Sequence, residues 1–350
     1  MPLTVLSVAF PFAPVRPEVA GGAEQILLAL DRALIDGGHR SIVVAAENSI
    51  VAGQLIGTPV WDDELETVRE QAARCHRNAI EAAIVNFRPD VIHYHGLDFH
   101  LYAVRSETPS MATLHLPPDY YPTEVLAAAG TRLFCVSQSQ QSRCPAGAAI
   151  AGMIPNGVDI EFFEPRAILR NYAIAVGRIC PEKGFHLALD AAKAADIPLL
   201  LAGEVFAYDA HRAYFEDEIR PRLDGRRKFI GAVAPARKRR LLAGARCLVA
   251  PSLAQETSSL TAMEALACGT PVVARSAGAL PEIVEHGRTG FIADTVEDMT
   301  RAMREADGLS REACRNAAET RFDSRKMIAR YFETWDFLAG VDRHRTACSN

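Results

Sequence analysis

Short apolar runs separated by longer stretches of helical periodicity organise this chain. Thr4–Phe10, Ser41–Ala46, Val91–His95, Ala112–His115 and Leu133–Ser137 are mostly apolar on both faces. That pattern predicts parallel strands covered by helices on either side, because a half-wet strand would alternate apolar and polar positions. Between the first two runs, Ala23–Asp36 places Ile26, Leu27, Leu30 and Leu34 on one helical face, and Gly37-Gly38 closes the helix. After the turn-rich Pro155-Asn156-Gly157-Val158-Asp159 the alternation restarts with Tyr172–Val176, Pro198–Ala202, Lys228–Ile230, Cys247–Ala250 and Pro271–Ala274. A last helical stretch, Arg325–Leu338, aligns Ile328, Tyr331, Phe332 and Trp335. The expected architecture is therefore two doubly wound α/β domains, 1–155 and 156–324, with a helix of about 325–350 returning to complete the first.

Size and composition narrow the class without naming a function. The 350 residues exceed twice the usual domain length, and 49% hydrophobic with 23% charged residues excludes wholesale disorder. No apolar run reaches membrane-spanning length. Met1-Pro2-Leu3-Thr4 runs into the first strand without a basic segment or a small-residue cleavage site, so no secretion signal is expected. Eight cysteines stand singly from Cys75 to Cys348, with no Cys-x-x-Cys pair, which suits reduced thiols in a cytoplasmic setting. Through residue 155, ten Arg and no Lys face sixteen acidic residues, a net −6, so the remainder carries +1 of the total −5. An acidic N-terminal half argues against nucleic acid as a partner and disfavours docking on acidic lipid. The Arg237-Lys238-Arg239-Arg240 run reads as a solvated helix face.

Candidate chemistry concentrates in Val249–Ala274, which reads strand, loop, helix, Gly stop, strand. A helix starting near Ser259 and ending at Gly269 points its free N–H groups and positive dipole end into the loop that carries Glu256. Such a terminus seats phosphate. Glu256 on the loop and Glu264 within the helix suit sugar and ribose hydroxyls, since a carboxylate accepts two hydrogen bonds from a diol. The spacing Thr261-x-x-Glu264 also matches a capping box, in which case the helix starts two residues later. A second cluster, Gly177-Arg178 through Lys183-Gly184, puts two cations beyond the carboxyl end of a strand, where open α/β sheets bind ligands. A third, Gly21-Gly22-Ala23-Glu24, lets backbone approach a ligand at the start of the first helix.

Together these pieces resemble the retaining glycosyltransferases of family 4, whose GT-B fold has two facing Rossmann-like domains. The resemblance rests on Gly21-Gly22-Ala23-Glu24, Asp90-Val91-Ile92-His93-Tyr94-His95, Pro155-Asn156-Gly157-Val158-Asp159, Gly177-Arg178 with Lys183-Gly184, the Glu256 and Glu264 pair, and Gly287-Arg288-Thr289-Gly290-Phe291. It implies that Glu256 contacts hydroxyls of the donor sugar, Glu264 the ribose, and Arg178 and Lys183 the diphosphate. It also implies an N-terminal histidine near the sugar, for which His115 is the matching position. His93 reads as structural and His95 as an acceptor-side residue. The loop Leu116-Pro117-Pro118-Asp119-Tyr120-Tyr121 offers Tyr120 and Tyr121 for stacking against an acceptor.

One departure concerns the donor loop. Where relatives commonly carry a glycine, this chain has Thr257-Ser258-Ser259, whose hydroxyls are then candidates for phosphate or sugar, beside the backbone N–H groups of Leu260 and Thr261. The resemblance implies transfer with retention from a nucleotide-diphosphate sugar, UDP-linked by preference, to an acceptor hydroxyl, and the acidic balance of the N-terminal half points to a small soluble acceptor. It implies no cofactor and no metal, and the sequence shows no Asp-x-Asp motif. Two alternatives share the fold, a nucleotide-sugar epimerase and a silent nucleotide-sugar-binding module. A dehydrogenase is disfavoured because neither half has the dinucleotide glycine fingerprint.

Overall fold

The computed structural model describes residues 2–17, 21–61, 65–165 and 170–340. The chain divides into two compact units, the first running to Ile154 and resuming at Met327, the second spanning Pro155–Lys326.

In the first unit, β1 (Thr4–Val8), β2 (Arg40–Ala46), β3 (Gln54–Thr58), β4 (Val91–Tyr94), β5 (Ser110–Thr113), β6 (Arg132–Cys135) and β7 (Ile150–Met153) form one sheet in the order β3-β2-β1-β4-β5-β6-β7. Every described pairing is parallel. The period of two sends Ile42 and Val44 to one face and Val43 and Ala45 to the other, and all four are fully buried in separate cores. Such double burial requires a helix layer on each side. The helix Ser324–Leu338 belongs to this unit from Met327 onward, where Tyr331 and Trp335 are buried and their rings lie 5.3 and 5.9 Å from that of His93. Its expected continuation, 341–350, and Cys348 lie outside the described residues.

In the second unit, β8 (Ala173–Val176), β9 (Leu199–Ala202), β10 (Arg227–Phe229), β11 (Cys247–Ala250), β12 (Val272–Ala274) and β13 (Gly290–Ile292) follow the order β10-β9-β8-β11-β12-β13, again parallel. Ala173, Ala175, Leu199 and Leu201 pack in one core and Ile174 and Leu248 in the other. The strand order reverses between β1 and β4 in the first unit and between β8 and β11 in the second. Loops leaving adjacent strands toward opposite faces part at such a point and open a crevice beyond the carboxyl ends.

β3 and β7 are edge strands absent from the apolar runs. Gln54 and Gly57 are exposed in β3 and Ala151 in β7, so neither strand has two buried faces to mark it. Seven described cysteines are free thiols. No helix among the described residues is long and apolar enough to cross a membrane.

Candidate functional site

Two loops leave the second sheet on either side of its reversal point and lock together. The turn after β8 carries Arg178 and Lys183, and the loop after β11 carries Glu256. The carbonyl of Glu182 accepts from the N–H groups of Leu253 and Ala254, at 2.8 and 3.1 Å, and from Ser252 Oγ at 3.2 Å. Gly184 sits between them at φ +61, where an added Cβ would come within 2.5 Å of the Pro251 carbonyl. Lys183 Nζ then donates to Glu256 Oε1 at 2.6 Å, and Ser252 Oγ donates to the same oxygen at 2.5 Å. The other side of the loop is clamped from the turn after β12. Ala279 N–H donates to the Glu256 carbonyl at 2.8 Å, and Gly278 N–H to Gln255 Oε1 at 2.8 Å. Glu256 is thus a half-buried carboxylate held by a cation, a hydroxyl and its own backbone. Arg178 is exposed, and its guanidinium makes no hydrogen bond or ion pair with a described residue.

Glu264 sits in the helix Leu260–Ala267 and is 3% exposed. Lys238 Nζ donates to its Oε1 at 2.7 Å, while Oε2 is buried without a partner. Burial pushes this carboxyl above the usual carboxylate range, and Lys238 offsets part of the shift. The basic run 237–240 therefore does not read as expected. Arg237 and Arg240 face water, but Lys238 turns inward and Arg239 stacks on Phe162, 5.0 Å from its ring centre, while donating to the Phe162 carbonyl. The signal was present in the helical spacing of Lys238, Leu241 and Leu242, which puts the lysine on the apolar face of its helix.

The capping box at Thr261 is not formed. Ser259 is the N-cap, its Oγ accepting from Ala262 N–H at 3.4 Å, and Glu264 is committed to Lys238. The same bond gives the Ser259 hydroxyl a structural role and leaves its O–H free to donate. Ser258 Oγ, in contrast, is buried without a hydrogen-bond partner. No carbonyl inside the helix reaches the first N–H groups, those of Leu260 and Thr261. Thr257 is half-buried beside them. Gly177 is constrained from two sides, since Phe185 approaches its Cα face and a Cβ on Gly203 would meet the Gly177 carbonyl at 1.8 Å.

In the first unit the carboxyl ends of β4 and β5 hold a continuous polar chain. Tyr331 OH lies 3.0 Å from Thr113 Oγ1, which lies 2.9 Å from His93 Nε2. His93 Nδ1 is 3.1 Å from His95 Nε2, and His95 Nδ1 is 3.3 Å from His115 Nε2. Loss of water lowers all three imidazoles, His115 to about 4, and His93 and His95 well below their ordinary value with mutual repulsion adding to the effect. A neutral imidazole offers one donor and one acceptor, so three in a row form one directed chain. Gln140, unmarked in the sequence, straddles His115. It donates to the carbonyls of Leu114 and Leu116, each at 2.8 Å, and accepts from Val136 N–H at 2.7 Å.

Two acceptor-side expectations are corrected here. His95 is 1% exposed and backs His115 instead of lining a surface. Tyr121 is 5% exposed, its hydroxyl accepting from Leu116 N–H, so only Tyr120, 63% exposed, presents a ring to solvent. Gly21 is the N-cap of the helix Gly22–Asp36 at the carboxyl side of β1, and the buried Glu24 carboxylate occupies the space a Cβ there would need, 1.8 Å away. Gly22 opens that helix.

Two parallel sheets, each with its candidate residues beyond the carboxyl strand ends at a reversal point, define a GT-B architecture, and the chain belongs to glycosyltransferase family 4. Residues 20–162 match the description "Glycosyltransferase Family 4", and residues 170–306 match "Glycosyl transferases group 1". The phosphatidyl-myo-inositol mannosyltransferase of Mycobacterium tuberculosis is 29% identical over 213 residues, 53% of this chain and 54% of that protein. The D-inositol 3-phosphate glycosyltransferase of Mycobacterium leprae is 30% identical over 54% of this chain and 50% of its own length. The chain thus matches about half the length of these curated relatives. Among solved structures, sucrose-phosphate synthase from Thermosynechococcus elongatus superposes with a TM-score of 0.81 at 19% identity, covering 97% of this chain and all of that one. HepE of Anabaena, solved in complex with UDP-glucose, gives 0.74 at 20% identity over 96% of this chain and all of that one. At those identities the structures bear on the fold.

Proposed function

We propose that the protein transfers a hexose-type sugar, with retention and without metal assistance to the reaction, from a UDP-linked donor to a hydroxyl of a small soluble acceptor. The observation that carries this reading is Glu264, a buried carboxylate with one oxygen on Lys238 and the other lacking a donor. A ribose hydroxyl supplies that donor. Glu256, held by Lys183 and Ser252, accepts from hydroxyls of the sugar. Arg178, Lys183 and the N–H groups of Leu260 and Thr261 take the charge that develops on the departing diphosphate. The acceptor oxygen attacks the anomeric carbon as the bond to the diphosphate breaks, its proton passing to a phosphate oxygen, so no protein nucleophile is needed. His115 is the candidate for contact with the sugar, and its low proton affinity makes it a neutral hydrogen-bond partner at neutral pH. The UDP preference draws on HepE, solved with UDP-glucose. The relatives named for inositol lipids and inositol phosphate make a cyclic polyol the acceptor class to try first.

A melting screen against nucleotide diphosphates and their sugars tests the donor half. A ligand at a hundred times its dissociation constant adds about 2.7 kcal/mol, so a UDP-sugar raises Tm in the wild type and not in Glu264→Ala. Glu256→Ala is expected to abolish transfer while melting as the wild type does. Near-normal turnover by that folded variant removes the centre of this reading.

A further inference from the structure

The turn after β8 carries a second set of side chains that the sugar chemistry does not use. Cys180 and Glu182 project from it, and His211 reaches them from the helix Asp209–Tyr214, 31 residues downstream of Cys180. Their ligand atoms, one from each residue, all lie within 4.8 Å of one another. We propose that Cys180, Glu182 and His211 form a binding site for a thiophilic divalent cation of the zinc class. The inference stands apart from glycosyl transfer and does not rest on it.

The donor set is one sulfur, one imidazole nitrogen and one carboxylate oxygen, the mixture that borderline-soft, tetrahedral Zn²⁺ takes. With metal–ligand distances of about 2.0–2.3 Å, tetrahedral donors stand about 3.3–3.6 Å apart. Roughly 1 Å of side-chain adjustment closes the observed cluster to that size. Glu182 is exposed and can swing, whereas Cys180 is 1% exposed and fixed in place. The His211 ring is walled by Tyr208, with centroids 5.1 Å apart, and by Phe206 at 6.3 Å. Its Nδ1 is buried without a hydrogen-bond partner, a state that costs free energy unless another group occupies the lone pair or takes the proton. Without a cation the Cys180 thiol donates weakly to the Arg178 carbonyl at 3.6 Å, and burial pushes it up to about 11. Capture forms an S–metal bond and releases the thiol proton to solvent. Three protein ligands leave a fourth position for water.

Arg178 is the cation that faces the cluster, and its exposed guanidinium, bound to no described residue, is free to withdraw into water. The expected effect is mechanical. The Glu182 carbonyl anchors Leu253 and Ala254, and Lys183 anchors Glu256, so a cation on the Glu182 carboxylate stiffens the turn against which the Glu256 loop rests.

Cobalt is the probe, because a thiolate ligand gives Co²⁺ an intense near-ultraviolet charge-transfer band and tetrahedral geometry gives visible d–d bands. The intact, chelator-treated and reduced protein is titrated with Co²⁺ alone. One equivalent is expected to raise both bands, C180S to lose the thiolate band, and H211A and E182Q to weaken binding at least tenfold. No thiolate band in the wild type, or the same band in C180S, overturns the proposal, since another cysteine is then the ligand or none is. H211A guards against a misfolded C180S. The His211 ring is partly exposed, so its loss spares the core, and unchanged Co²⁺ affinity in folded H211A also overturns the site.

Discussion

Lys238 and Glu264 meet across 2.7 Å where their side chains are only 15% and 4% exposed. The two arrive from different helices, Pro235–Gly244 and Leu260–Ala267, so the pair ties the donor helix to its neighbour. Removing one partner of such a pair leaves an uncompensated buried charge, which costs about 3–5 kcal/mol. Lys238→Met is expected to lose about that much in urea unfolding at pH 7.5. The sign of the pH dependence follows from Glu264, whose folded pKa lies above its unfolded value even with the lysine present. Without the lysine it rises further, and the penalty shrinks as pH falls through that raised value and the carboxyl takes up a proton. Equal destabilisation at pH 7.5 and pH 5 is the outcome that contradicts this account.

Gly278 holds the Glu256 loop by the absence of a side chain. Its φ is +60, and a Cβ would stand 2.1 Å from the Glu256 carbonyl oxygen and 2.5 Å from its nitrogen. Left-handed backbone costs an L-residue about 1–2 kcal/mol, and the clash displaces the loop besides. Gly278→Ala is expected to raise KM for the donor at least tenfold and to lower Tm by several degrees. If Tm falls while donor KM holds, the clash relaxes away from Glu256 and the glycine serves the fold alone.

The sheet scaffold was legible because parallel strands buried on both faces write continuous apolar runs, as β2 does from Ser41 to Ala46. The edge strands β3 and β7 escaped for the converse reason. Of the candidate donor residues, Glu256, Arg178 and Lys183 stood out by charge beyond strand ends and Glu264 by its place in the helix that follows. What the sequence could not show was pairing across distance. Lys183 finds Glu256 73 residues away, Thr113 finds Tyr331 218 residues away, and nothing local distinguishes Lys238 from the arginines beside it except its helical face. The aromatic loop was misread because adjacent tyrosines point in opposite directions, one into the core.

The two adjacent serines separate capping from ligand contact. Ser259 Oγ caps the donor helix, and loss of a Ser cap costs about 1 kcal/mol. Ser258 Oγ is buried and unpartnered, so its removal relieves a desolvated hydroxyl. Ser259→Ala is expected to lower stability by about 1 kcal/mol with little change in donor affinity. Ser258→Ala is expected to be neutral or slightly stabilising while weakening donor binding severalfold. Calorimetric titration of the same nucleotide sugar against both variants decides it, and the assignment fails if the two effects appear with the serines exchanged.

The histidine chain predicts acid sensitivity of the first unit. His76 and His115 are each lowered from 6.5 to about 4 by burial, and His93 and His95 are lowered as well. Below pH 6.5 the unfolded chain binds protons that the folded unit refuses, so stability falls as pH drops from 6.5 toward 4. Each group displaced by 2.5 units contributes about 3 kcal/mol across that window. Trp61 and Trp335, the two tryptophans of the chain, both lie in the first unit, so their fluorescence follows its unfolding without signal from the second. Urea midpoints read by tryptophan emission are expected to fall steeply from pH 6.5 to 4.5. In His115→Gln the slope is shallower by about one proton, roughly 1.4 kcal/mol per pH unit. A variant as steep as the wild type means that His115 is not among the groups held neutral by folding, and the directed chain ending on it then loses its terminal member.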